Sequence, residues 1–220
     1  KGTGVSPPIS GSPEFVYFKP GGSVKHPVSG EVMAPKPPGG DLLAEVGGDP
    51  RAALADWLLA PDNPFFARAA VNRVWGAMMG AGIVNPVDDM RTSNPPSNPA
   101  LLDALARDFV ANGYVLKQLM RRIANSRVYQ LSSTPNETNV GDTEHFSRAY
   151  RRRMAAEVMT DAVADVTGVP NRFEGMAPGA RALQAWNFKL ASDTLDAFGR
   201  PDSSEDCPCE RNLSTSVVQA

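Results

Sequence analysis

Residues 49–131 read DPRAALADWLLAPDNPFFARAAVNRVWGAMMGAGIVNPVDDMRTSNPPSNPALLDALARDFVANGYVLKQLMRRIANSRVYQL, and they decide the fold class. Three times in this stretch an Asp or Asn directly before proline opens a run with helical apolar spacing: Asp49-Pro50, Asn63-Pro64 and Asn98-Pro99. An Asp or Asn side chain caps orphan N–H groups at a helix start, and proline at the first helical position loses no hydrogen bond. Each pair therefore predicts a helix start. Leu54, Trp57 and Leu58 follow the first at helical spacing, and Pro61-Asp62 ends that helix. After the second, Phe66, Ala70, Val74 and Ala77 predict an apolar face, with Arg68, Asn72 and Gly76 on a polar stripe. Leu102, Leu105, Ala106 and Phe109 give the third helix its stripe, and Asn112-Gly113 supplies a left-handed stop. A fourth helix begins near Tyr114 and is expected to bury Leu116, Leu119, Met120 and Ile123.

Outward from this core, a fifth helix is expected over residues 153–167, ended by Gly168, and a short sixth near Ser192–Phe198 with Ser192 as its cap. Residues 1–13 are a Gly/Ser/Pro-rich linker, and FVYFKPGGSVKHPVSGEVMAPK suggests a small hairpin or an extended arm. The expected architecture is mainly α: a bundle of about five helices, a short β-like N-terminal arm and an irregular C-terminal segment. Its parts are residues 1–40 as linker and arm, 41–168 as helical core, and 169–220 as the irregular segment.

Composition narrows the function classes. The 220 residues carry a net charge of −2, which gives no reason to expect a nucleic-acid partner. No run of about 18 apolar residues is present to span a bilayer. Residue 1 is Lys, and the opening residues read as a linker, so the chain is expected to be a C-terminal piece of something longer.

RAALADWLLAPDNPFFARAAVNRVWGAMMGAGIV, then NPPSNPALLDALARDFVANGYVLKQLMRRIANSRVYQLSS, then AYRRRMAAEVMTDAVADVTG and FGRPDSSEDCPCER follow one another in order, with HPVSGEVMAPKPPGG ahead of them. This succession resembles the C-terminal domain of unknown function number fifteen fifty-three, from planctomycete proteins that carry a cytochrome-c-type domain upstream. The resemblance implies a large exported, periplasmic or cell-surface protein. Its haem would lie in an upstream domain, which is then the first expected partner. C-x-x-C-H is absent from these 220 residues, so no cofactor is expected in this segment. The family implies no activity. A polysaccharide or another protein is the remaining candidate partner.

Arg68, Asn72, Arg73, Arg91, Arg121 and Arg153, set against Asp88, Asp89, Glu157 and Asp161, form the candidate polar constellation. Arginine suits bidentate pairing with carboxylates. The set reads either as a cleft for an anionic or sugar-like ligand or as a network tying helices together. Arg153, Glu157 and Asp161 are spaced to share one helix face. Cys207-Pro208-Cys209 is the second candidate: inert cysteines, a strained and easily reduced bridge, or a metal pair. The metal reading needs about two further ligands, and His26 and His145 are the only histidines. Serines abound but no G-x-S-x-G elbow occurs, so a Ser–His pair would have to be assembled by the tertiary fold.

Overall fold

The computed structural model describes residues 17–18, 22–40, 49–174, 176–185 and 192–200. Among these the chain is mainly α. Its elements are strands β1 (Val24–Lys25) and β2 (Val32–Met33), then helices α1 (Pro50–Leu59), α2 (Phe66–Met79), α3 (Pro99–Ala111), α4 (Leu116–Ala124), α5 (Ala156–Thr167) and α6 (Asp193–Ala197). A 3-10 turn at Ala182–Gln184 lies between the last two helices. Two compact units result, Pro20–Arg152 and Arg153–Ala220, the second including Lys1–Lys19.

The hairpin is antiparallel, pairing Val24 with Met33 and Lys25 with Val32. His26 organises its turn: the Nδ1 accepts from the N–H groups of Val28 and Ser29 at 3.3 and 3.1 Å.

Two of the three proline starts are helix caps. Asp49 accepts from Arg51 N at 3.0 Å and Asn98 from Leu101 N at 3.0 Å. The third is displaced by two residues. Asn63 caps a turn, its Oδ1 accepting from both Phe65 N and Phe66 N at 2.9 Å, and the helix proper begins at Phe66. Helix α1 has no buried residue and is held at its end instead: Tyr114 Oη donates to Leu59 O at 2.9 Å, and Asn63 Nδ2 to Trp57 O at 2.9 Å.

The core of the first unit joins α2, α3 and α4 through Val71, Trp75, Leu102, Phe109, Leu119 and Ile123. The buried face of α2 is Ala67, Val71, Asn72, Trp75 and Met79, one residue round from the expected face of Phe66, Ala70, Val74 and Ala77. On α4 only Leu119 and Ile123 are buried, while Leu116 and Met120 are 53% and 47% exposed. Ile83 and Val84, in the connector after α2, are core residues at 1% and 2% exposure.

The second unit is smaller. Helix α5 packs against the 3-10 turn and α6 through Ala156, Ala182 and Leu195, so it belongs with the C-terminal segment rather than with α1–α4. The helix starts at Ala156, not at 153, because Ala155 has an extended backbone. Ser192 caps α6 through Leu195 N, at 3.4 Å.

The connector after α2 folds back so tightly that Gly82 cannot carry a side chain and Gly76 has little room for one. A Cβ on Gly76 would meet Val87 Cγ2 at 2.8 Å, and one on Gly82 would sit 2.1 Å from the Val84 carbonyl oxygen. Gly82→Ala should destabilise the protein by at least about 2 kcal/mol in urea denaturation, since overpacking against backbone has no flexible neighbour to yield. Gly141→Ala, with nothing within 4 Å, serves as the neutral control.

Candidate functional site

Asn72 is the centre of the expected polar stripe, and it is fully buried. Its Nδ2 donates to Val84 O at 2.9 Å and Val87 O at 2.7 Å, and its Oδ1 accepts from Val84 N at 2.9 Å. Both amide hydrogens and the carbonyl are thus committed to backbone. One helical turn earlier, Arg68 Nε lies 3.2 Å from Asp103 on α3, with both groups partly exposed.

The remaining arginines go their separate ways. Arg73 pairs with Asp88 at 2.6 Å, both about two-thirds exposed, and Arg91 with its near neighbour Asp89 at 2.6 Å. The Arg91 guanidinium holds the Asp89 carboxyl below its ordinary value, chiefly by direct hydrogen bonding. Arg121 has no carboxylate partner among the described residues; its neighbour Arg122 reaches Asp108 of α3 at 2.8 Å. The arginines of these pairs are largely exposed, and ion pairs of that kind add little to stability.

In the second unit Arg153 lies ahead of α5, so only Glu157 and Asp161 of that expected triplet share the helix. Asp161 is 3% exposed and accepts from Ala182 N at 2.6 Å, Leu183 N at 3.2 Å and Asn171 Nδ2 at 3.0 Å. Its carboxylate caps the 3-10 turn, with Arg181 Nε at 3.5 Å completing the charge balance. Cys207 and Cys209 fall outside the described residues. Among the described residues no group of three or more His, Cys, Asp or Glu side chains is placed to hold a metal ion.

The concavity that matters lies elsewhere in the first unit. A cavity of about 540 Å³ opens between α2, α3, α4 and the segment 144–146, within the size range of small-molecule sites. Trp75, Leu101, Leu105, Ile123, Val128 and Phe146 form its apolar lining. Ser97, Asn98, Arg122, Ser126, Glu144 and His145 are its polar residues. Trp75 and Phe146 meet edge to face, with centroids 5.3 Å apart at 83°. The indole Nε1–H of Trp75 is buried without an acceptor.

Phe146 is held in a conformation that side chains rarely adopt, with φ +56° and 5% exposure. Such a backbone costs about 1–3 kcal/mol and persists only where its surroundings over-determine it. Those surroundings are explicit. Tyr150 Oη accepts from Phe146 N at 2.9 Å and donates to Asp142 Oδ1 at 3.2 Å. Asp142 also accepts from the backbone N–H groups of Glu144, His145 and Ser147 at 3.0, 2.8 and 2.8 Å, and from the Ser147 hydroxyl. The Ser147 hydroxyl first, then the His145 and Ser147 amides, hold the Asp142 carboxyl far below the usual carboxylate range.

Ser97, Ser126 and His145 line one cavity, which sequence reasoning did not foresee. They do not form a nucleophile and base. Ser97 Oγ donates to Ile83 O at 3.1 Å and Ser126 Oγ to Ile123 O at 2.6 Å, so both hydroxyl hydrogens are already spent.

The family model described as "Protein of unknown function (DUF1553)" matches residues 50–220. The chain belongs to that family. No curated protein and no solved structure matches it. The DUF1553 match takes in both compact units, so the cavity and the Asp161 hub both lie on family sequence.

Asp142 supplies a pH dependence. Its folded pKa is depressed, so its contribution to stability is complete above the unfolded carboxylate value of about 4 and is lost as pH falls through the lower folded value. Wild-type segment 142–150 should therefore stay closed through mildly acidic pH. Asp142→Asn should leave the amides of residues 144–147 fast-exchanging even at pH 7. Hydrogen exchange followed from pH 7 to pH 3 checks both.

Proposed function

We propose that this chain is a non-catalytic binding module of a larger exported protein, and that the Trp75–Phe146 cavity is where it binds. The commitment of the polar side chains carries this reading. Asn72 is spent on backbone; Asp161 on backbone and Asn171; Arg73 and Arg91 on carboxylates; and the cavity serines on carbonyls. The Trp75–Phe146 cavity is mostly apolar with a partly polar lining, the usual composition of a ligand pocket. The alternative, an enzyme with an Arg/Asp-lined cleft acting on a polysaccharide-like or anionic substrate, needs Arg73, Asp88, Asp89 and Arg91 to close on a common point. They form two separate exposed pairs.

The wider setting follows from the sequence resemblance. In it the module sits C-terminal to a cytochrome-c-type domain of a planctomycete-type protein, outside the cytoplasm, and holds or positions a partner for that domain. Haem would belong to the upstream domain alone.

A fragment screen by two-dimensional NMR separates the two sites. Hits should perturb Trp75, Leu105 and Phe146 and leave Asp88 and Asp89 unmoved. Arg73→Ala and Arg91→Ala should change neither the hits nor the unfolding midpoint measurably. Hits clustered at residues 88–91 would overturn the reading in favour of the polar cleft.

A further inference from the structure

The donors and acceptors around the cavity are unequal in number, and the inequality says what kind of ligand fits. Asn98 has given its Oδ1 to Leu101 N, which leaves the Nδ2 hydrogens unspent. Arg122 meets Asp108 most closely through Nε, at 2.8 Å, and its side chain stays 60% exposed, so the guanidinium remains open to a second anion. The His145 residue is exposed, and the cavity serines turn their hydroxyl hydrogens to the Ile83 and Ile123 carbonyls instead. Glu144, exposed, is the one acidic residue of the lining.

The helix field has the same sign. Asn98 and Leu101 of the cavity wall belong to the start of α3, a 13-residue helix with no acidic residue in its first turn. The positive end of that helix is therefore not neutralised by its own side chains. Against these donors stands a continuous apolar body of Trp75, Leu101, Leu105 and Phe146.

We infer that the cavity takes a small amphipathic carboxylic acid, its aryl or alkyl body against Trp75 and Phe146 and its carboxylate on Arg122 and the start of α3. This rests on the binding-module reading and adds the ligand's chemistry to it. Arg122 is a positioning residue for the acid group, and the apolar wall supplies the rest of the affinity. The ammonium analogue is disfavoured because only Glu144 could receive it, while Arg122 would repel it.

The test uses the full 220-residue chain and three probes with one body: 3-phenylpropionate, 3-phenylpropanamide and 3-phenylpropylamine. Binding is read from the Trp75 indole resonance, assigned with Trp75→Phe. The acid should bind saturably and at least about ten-fold more tightly than the amine, the size expected of a charge-assisted hydrogen bond. Arg122→Gln should weaken the acid by about ten-fold and leave the amide unchanged. Asp108→Asn breaks the same ion pair but keeps the guanidinium, and it should hold or improve acid binding. Equal binding of all three probes, or loss of acid binding in Asp108→Asn as large as in Arg122→Gln, overturns this inference and leaves the binding module standing. No binding by any probe, with Trp75 unmoved at millimolar concentration, overturns both.

Discussion

One buried amide holds the first unit in shape. Asn72 stands on the inner face of α2, and the three hydrogen bonds it makes all go to the backbone of Val84 and Val87. A buried amide left unpaired costs about 1–3 kcal/mol for each lost group, so the connector has strong reason to stay where those partners are satisfied. With Val84 fixed, Ile83 enters the core, and its carbonyl takes both the N–H and the hydroxyl of Ser97. Asn94 closes the rest by donating to Asn85 O at 3.3 Å and Asp89 O at 2.9 Å. The segment between α2 and α3 is thus a shaped element, and it delivers Asn98 to the head of α3. The wall of the cavity depends on that delivery.

A second hub builds the opposite wall by the same logic. Asp142 gathers three backbone N–H groups, the Ser147 hydroxyl and the Tyr150 hydroxyl, and the strained Phe146 is the result. Arg152 adds a cap to α2, its guanidinium bonding the Ala77 carbonyl in the last turn, where a cation meets the negative end of the helix. In the second unit Asp161 repeats the device for the 3-10 turn. Each irregular segment is held by one side chain that bonds several backbone groups, and the exposed ion pairs are secondary.

Local signals were the ones the sequence made legible. Asp49, Asn98 and Ser192 cap their helices because capping involves neighbours two or three residues away. The mainly α class followed from the same signals and from the stripes on α3. The stripe of α2 was misread by one residue because Asn72 looks polar in a pattern, while its burial is set by the backbone of Val84 and Val87, 12 and 15 residues downstream, which no side chain advertises. Leu116 and Met120 were expected inside because helical spacing alone does not say where the facing surface ends. Arg91 and Asp89 were legible as members of one charged set, but their pairing with each other was not. The cavity was invisible, since its lining comes from four separated segments. His145 had been noted only as one of two histidines, and the tertiary fold alone brings it and Trp75 to one cavity.

Asn72 fixes the connector between α2 and α3, which is not merely tethered at its ends. Hydrogen exchange at the Val84 amide tests it most directly, because that N–H has the Asn72 oxygen as its acceptor. If the account holds, Val84 exchanges only through global unfolding, with the same protection free energy as the α2 and α3 core amides. Exchange of Val84 at the rate of the exposed loop amides of Glu137 and Gly141, while the helices remain protected, would contradict it.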